Sequence, residues 1–135
     1  MTAAETGSLV LSTLHTAGAA SAIDRIINSY PKDQQDQVKT QLSQILRAVV
    51  WQVLLPRKDG QGRVPATEIM FNTHAVGNLI RKGETHHLSS QIEISRGQGM
   101  MTMAHSVEQL LAKGIITEEV AKPYLTPAND FVGVE

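Results

Sequence analysis

The feature that most narrows the fold is a change of hydrophobic period across one glycine. Leu9-Val10-Leu11-Ser12-Thr13-Leu14 is a short β-compatible apolar run preceded by Gly7, and it ends in the polar pair His15-Thr16 just before Gly18. From Ala19 the apolar positions become Ala19, Ala22, Ile23, Ile26, Ile27 and Tyr30, the spacing of an amphipathic helix, which Pro31 stops. A buried strand, a turn and a helix in that order make an α/β chain the expectation.

The rest of the chain should be richer in helix than in strand. Asp33 opens a second helix whose apolar residues Val38, Leu42, Ile45, Leu46, Val49, Val50 and Val53 keep helical spacing for about four turns. Pro56 to Gly62 is a turn-rich linker too short to separate domains, and Arg63 to Phe71 reads as a second strand in which Pro65 marks an edge or the start of pairing. His74 to Lys82 is a helix with Ala75, Val76, Leu79 and Ile80 inward and Gly83 as its stop. Further helices follow over Thr85 to Ile94, from Met103 to Lys113-Gly114, and after a cap at Thr117. At 135 residues there is room for a single core, expected over residues 1–125, with residues 126–135 as a frayed tail after the prolines begin at Pro123.

Charge and composition remove several classes of function. Twelve Lys+Arg against thirteen Asp+Glu leave a formal charge of -1, which argues against nucleic acid held by bulk charge. No stretch reaches the roughly 18–20 apolar residues of a membrane helix. No basic residue precedes the first apolar run, where Glu5 stands instead, so neither membrane insertion nor a signal peptide is expected. The absence of cysteine fits a soluble protein of a reducing, cytoplasmic compartment.

The position with most chemical content is His15, where the first strand should end. In open α/β sheets ligands bind outside the carboxyl ends of strands, so Thr13, His15 and Thr16 stand where a phosphate or a reacting group would be met. The plainer alternative is that His15 and Thr16 only cap the turn before Ala19. The other histidines, His74, His86, His87 and His105, contain no i, i+4 pair, and adjacent His86 and His87 should face different ways, so no metal site is expected. Met100, Met101 and Met103 read as core filling at a helix start. Gly97-Gln98-Gly99 has neither a leading strand nor a following Lys-Ser/Thr, and no G-x-x-x-x-G-K-[ST] occurs, so the chain carries no P-loop.

Taken together, Thr2 to Thr16, Ala22 to Ile27, Gln35 to Leu42, Glu68-Ile69-Met70, Ala75 to Lys82 and Gly99 to Met103 resemble, in family order, the type IV pilus retraction ATPases of the secretion ATPase superfamily. The resemblance runs to about Leu125 and implies the C-terminal part of a RecA-like P-loop ATPase domain, helix-rich with a small sheet. In such a family the P-loop and the catalytic acidic strand precede the region that Thr2 begins here. What remains is part of a histidine box, in which His15 matches the second histidine, near the terminal phosphate, and Ser8 stands where the first is usual. On this resemblance His15 is the catalytic candidate and Thr13, His15 and Thr16 the nucleotide contacts. Ala75, Val76, Asn78, Leu79, Ile80 and Arg81 make the retraction motif, with Gly77 where Arg is common and Lys82 where Glu is usual. His74 replaces a frequent Pro and Ala104 a frequent Asp.

The function implied is a contribution to an ATP-driven hexameric motor of twitching motility, working with inner-membrane pilus machinery. ATP and Mg²⁺ belong to the full-length family; neither is expected to bind tightly to this chain alone, nor is the chain expected to be an ATPase by itself. The alternative is a stand-alone interaction or regulatory module that docks on the motor ring or pilus machinery. A first strand without its neighbours also leads to the expectation of self-association, as a dimer or higher oligomer.

Overall fold

In the computed structural model the described residues are 1–125, and the expected frayed tail over 126–135 lies outside them. The helices are α1 (Thr2–Glu5), α2 (Ala19–Asn28), α3 (Gln35–Ile45), α4 (His74–Lys82), α5 (Leu88–Ile94), α6 (Met103–Ala112) and α7 (Glu118–Leu125). The strands β1 (Ala48–Pro56) and β2 (Arg63–Phe71) pair antiparallel in a two-stranded sheet, in register from Ala48 opposite Phe71 to Pro56 opposite Arg63. Beyond β2, Met101 adds one bridge to Ile69, each amide donating to the other's carbonyl at 2.8 and 3.0 Å. The α/β class holds, with helix dominating a small sheet.

Two apolar clusters hold these elements. In the larger, Ile23 and Ile27 of α2 meet Val38 and Leu42 of α3, Val76 and Ile80 of α4, and Leu88 and Ile92 of α5. These are the residues that helical spacing puts on one face of each helix, and fully burying each is worth about 1.5–3 kcal/mol. The smaller cluster packs Met103 and Val107 of α6, Ile116 and Ala121 against Leu55 and Ala66 of the sheet. The hairpin loop between the strands is closed by Arg57, whose guanidinium donates to Asp59 at 2.8 Å, while the Asp59 carboxylate accepts the Gln61 amide at 2.9 Å. Those bonds, the Arg57 one first, hold the Asp59 carboxyl below its ordinary pKa.

Several expectations hold to the residue. The strand Arg63–Phe71 and the helix His74–Lys82 have the bounds read from sequence, Gly83 closes that helix in the left-handed region at φ 74°, and Thr117 caps α7 by accepting the Val120 amide. Of the three methionines read as core filling, Met100 and Met103 are buried, while Met101 is half-buried at its bridge to Ile69.

Three expectations fail. Leu9–Leu14 is neither a strand nor buried: Leu9 is 82% and Leu11 87% exposed, and no backbone hydrogen bond ties residues 9–16 to the other described residues. A strand exists only by pairing, and the described sheet offers this segment no partner. The long helix through Val53 also fails, since α3 ends at Ile45 and Val49, Val50 and Val53 lie in β1. There the alternation of β1 wins, with Trp51, Val53 and Leu55 turned to the smaller cluster and Val50 and Leu54 left exposed. Finally, Pro123 does not open an irregular tail but lies inside α7, which is held because Val120, Tyr124 and Leu125 pack on the smaller cluster.

Candidate functional site

The start of α2 is built by a glycine and an acid from a distant strand. Gly18 sits at φ 98° and ψ 161°, a backbone conformation that only glycine adopts without strain, and no side chain of its own caps the helix. The cap comes instead from β2, where Glu68 Oε1 accepts the Ala19 amide at 2.8 Å. A Cβ on Gly18 would lie 3.4 Å from that same oxygen and 3.9 Å from the Trp51 ring, both ordinary contact distances, so the backbone angle and not the space calls for glycine here. A carboxylate here meets the partial positive charge of the helix N-terminus.

Beside this turn opens a cleft of about 570 Å³ whose walls include Thr13, His15, Thr16, Gly18, Ile26 and Trp51. The structure therefore brings Thr13, His15 and Thr16 together on one cavity, with Thr13 and His15 exposed and Thr16 half-buried. Their side chains make no hydrogen bond within the described residues, so the alternative that His15 and Thr16 act as side-chain caps of the turn does not describe this geometry. Ser8 is exposed outside the cleft, its amide donating to the Ala3 carbonyl at 3.0 Å.

The cleft can offer hydroxyl and imidazole contacts. No Lys or Arg lines it. A nucleoside triphosphate needs cationic groups around its phosphates, and the residues lining this cleft supply none. Among the described residues no three His, Asp or Glu side chains converge in a group that could hold a metal ion. His86 and His87 do not face different ways: in a 3₁₀ turn their rings stand 4.0 Å apart.

The retraction-motif residues form a second surface. On α4, Val76 and Ile80 are buried, Asn78 and Leu79 are half-buried, and Ala75 and Arg81 are exposed. Ala75 was expected inward and is not, because α4 turns only its Val76, Gly77 and Ile80 positions fully into the core. Thr73 caps the helix by accepting the Val76 amide at 3.4 Å. None of these motif residues lines the His15 cleft.

Sequence reasoning missed Glu68, which caps the turn beside the cleft, and Trp51, which lines it. Glu68 did carry a signal, as the only charged residue on the face of β2 shared with Val64, Ala66 and Met70. A charge on the core face of a strand must find a polar partner, here the first amide of α2.

No family model matches the chain. It is 43% identical over 122 residues to the twitching motility protein of Neisseria gonorrhoeae, covering 90% of this chain and 33% of that protein. It is likewise 43% identical over 122 residues to the type IV pilus retraction ATPase PilT of Pseudomonas aeruginosa, covering 90% of this chain and 35% of that one. A solved structure of the pilus retraction motor PilT with bound ADP superposes with a TM-score of 0.80 at 36% identity, over 94% of this chain and 35% of that one. The chain thus spans about a third of the length of the curated relatives it matches. In sequence and in fold it is similar to the C-terminal part of the PilT-like type IV pilus ATPases.

Proposed function

We propose that the chain serves as the C-terminal part of an ATP-driven type IV pilus retraction motor, supplying His15 with Thr13 and Thr16 to one edge of the nucleotide and α4 to the moving surface. The observation that carries this reading is the convergence of those three residues on one cleft, in a chain whose fold follows a retraction motor solved with ADP. His15 acts on a phosphate oxygen or on the attacking water, as a hydrogen-bonding and positioning group. The cationic and metal-holding groups come from outside the described residues, and the working state is an oligomer on the cytoplasmic side of the pilus machinery. Residues 1–125 act as one unit of that larger motor domain.

By this reading the chain alone hydrolyses no ATP. Phosphate release by the purified chain with ATP and Mg²⁺ is expected to equal a blank without protein. Turnover that survives repurification and is lost in His15→Ala would contradict it.

A second reading, a stand-alone module that docks on the motor, is favoured by one feature. Leu9, Val10, Leu11 and Leu14 are exposed side by side, an apolar segment open to association. Self-association through it follows on either reading. Sedimentation at rising concentration is expected to show a dimer or larger species that Leu11→Lys shifts toward monomer. A wild-type chain that stays monomeric at high concentration would remove this surface from the account.

A further inference from the structure

The surface of α4 carries a feature that the motor reading does not use. Residues 74, 77 and 81 follow the i, i+3, i+7 spacing and so share one face of the helix. At the middle position stands Gly77, and with no side chain there the helix lies close on the end of α3. A Cβ would fall 3.2 Å from the Ser43 carbonyl oxygen and 3.3 Å from Asn72 Oδ1. The missing side chain leaves a notch of about 200 Å³, flanked by His74 and Arg81 on α4 and by Arg47 across from them.

Its walls are polar and its charge has one sign. Among the described residues no Asp or Glu lines the notch. Neither Arg47 nor Arg81 has an ion-pair partner among the described residues, all of whose ion pairs involve other side chains. The floor is fixed, because the Asn72 side-chain amide donates to the carbonyls of Ser43 at 2.9 Å and Leu46 at 3.0 Å, tying α3 to the start of α4.

We propose that this notch is a binding site for a phosphate-type oxyanion. Two guanidinium groups and an imidazole from separate places in the chain flank a small cavity and supply donors to a compact tetrahedral anion, which is held from this rim and not by the floor, where the Ser43 carbonyl and the buried Asn72 Oδ1, without a donor among the described residues, are both acceptors. The proposal does not depend on the nucleotide cleft, since Leu46 is the only residue that lines both.

The test is an amide NMR titration of the full chain with sodium phosphate, with sodium chloride adjusted to hold ionic strength constant. Saturable shifts are expected at Asn72, His74 and Gly77. The combined variant Arg47→Gln, Arg81→Gln should weaken the apparent affinity about tenfold or more, and Arg25→Gln on α2 should leave it unchanged. Both arginines are exposed, and the spectra report whether the fold survives; if the combined variant loses it, each single variant should still weaken binding. A second arm with glycerol 2-phosphate separates sources: equal or tighter binding assigns the site to a phosphate ester, and weaker binding assigns it to free phosphate. Shifts that never saturate, or that persist unchanged in the arginine variants, would overturn the proposal. So would binding of a polyglutamate peptide at these residues without any binding of phosphate.

Discussion

Replacing Ile80 by alanine is expected to cost about 2–5 kcal/mol of folding stability, whereas the neighbouring Leu79→Ala should cost clearly less. Ile80 is fully buried in the larger cluster, where α4 meets α2, α3 and α5, so truncation removes the transfer free energy and leaves a cavity that several elements must jointly collapse to fill. Leu79 is only partly buried against the same cluster and loses less contact. The contrast divides a motif that resemblance treats as one functional string. Its apolar residues hold the helix in place, while Arg81, exposed, is left for whatever the helix meets. Urea unfolding of the two variants measures both numbers; similar small losses from both would mean that α4 is not packed as described.

How far the sequence revealed this fold depended on whether a local cause set each boundary. α4 was legible because its apolar spacing runs up to a local stop at Gly83, while the Thr73 hydroxyl that caps its start emerged with the structure. β2 was legible because its alternation runs between Gly62 and the capped helix. The end of α3 was not legible. Leu46 leaves the helix at ψ 139° without a glycine or proline to mark it, and the freed carbonyls of Ser43 and Leu46 are satisfied by Asn72, distant in sequence. Val49, Val50 and Val53 happen to fall in phase with Val38 and Leu42, so a period-2 strand was read as a continued helix.

The candidate site divides in the same way. Thr13, His15 and Thr16 are close in sequence, and their grouping followed from the turn alone. Glu68 and Trp51 reach that turn only through the sheet, whose register fixes them opposite each other. The first segment misled for a thermodynamic reason: its residues favour a strand, but propensity without a pairing partner leaves the backbone to water.

The central claim is that this chain supplies the C-terminal part of a retraction motor, with His15 at the nucleotide. The measurement that tests it most directly is ATP turnover by a hybrid in which this chain replaces the matching third of Pseudomonas aeruginosa PilT. The hybrid should fold, bind nucleotide and turn over within about tenfold of its parent, a loss of roughly 1.4 kcal/mol in barrier at most. His15→Ala in the same hybrid should then lower kcat by about a hundredfold or more, the scale for removing a group that acts on the reacting phosphate or its water. Full activity retained by His15→Ala, or a well-folded hybrid that binds no nucleotide, would contradict the account.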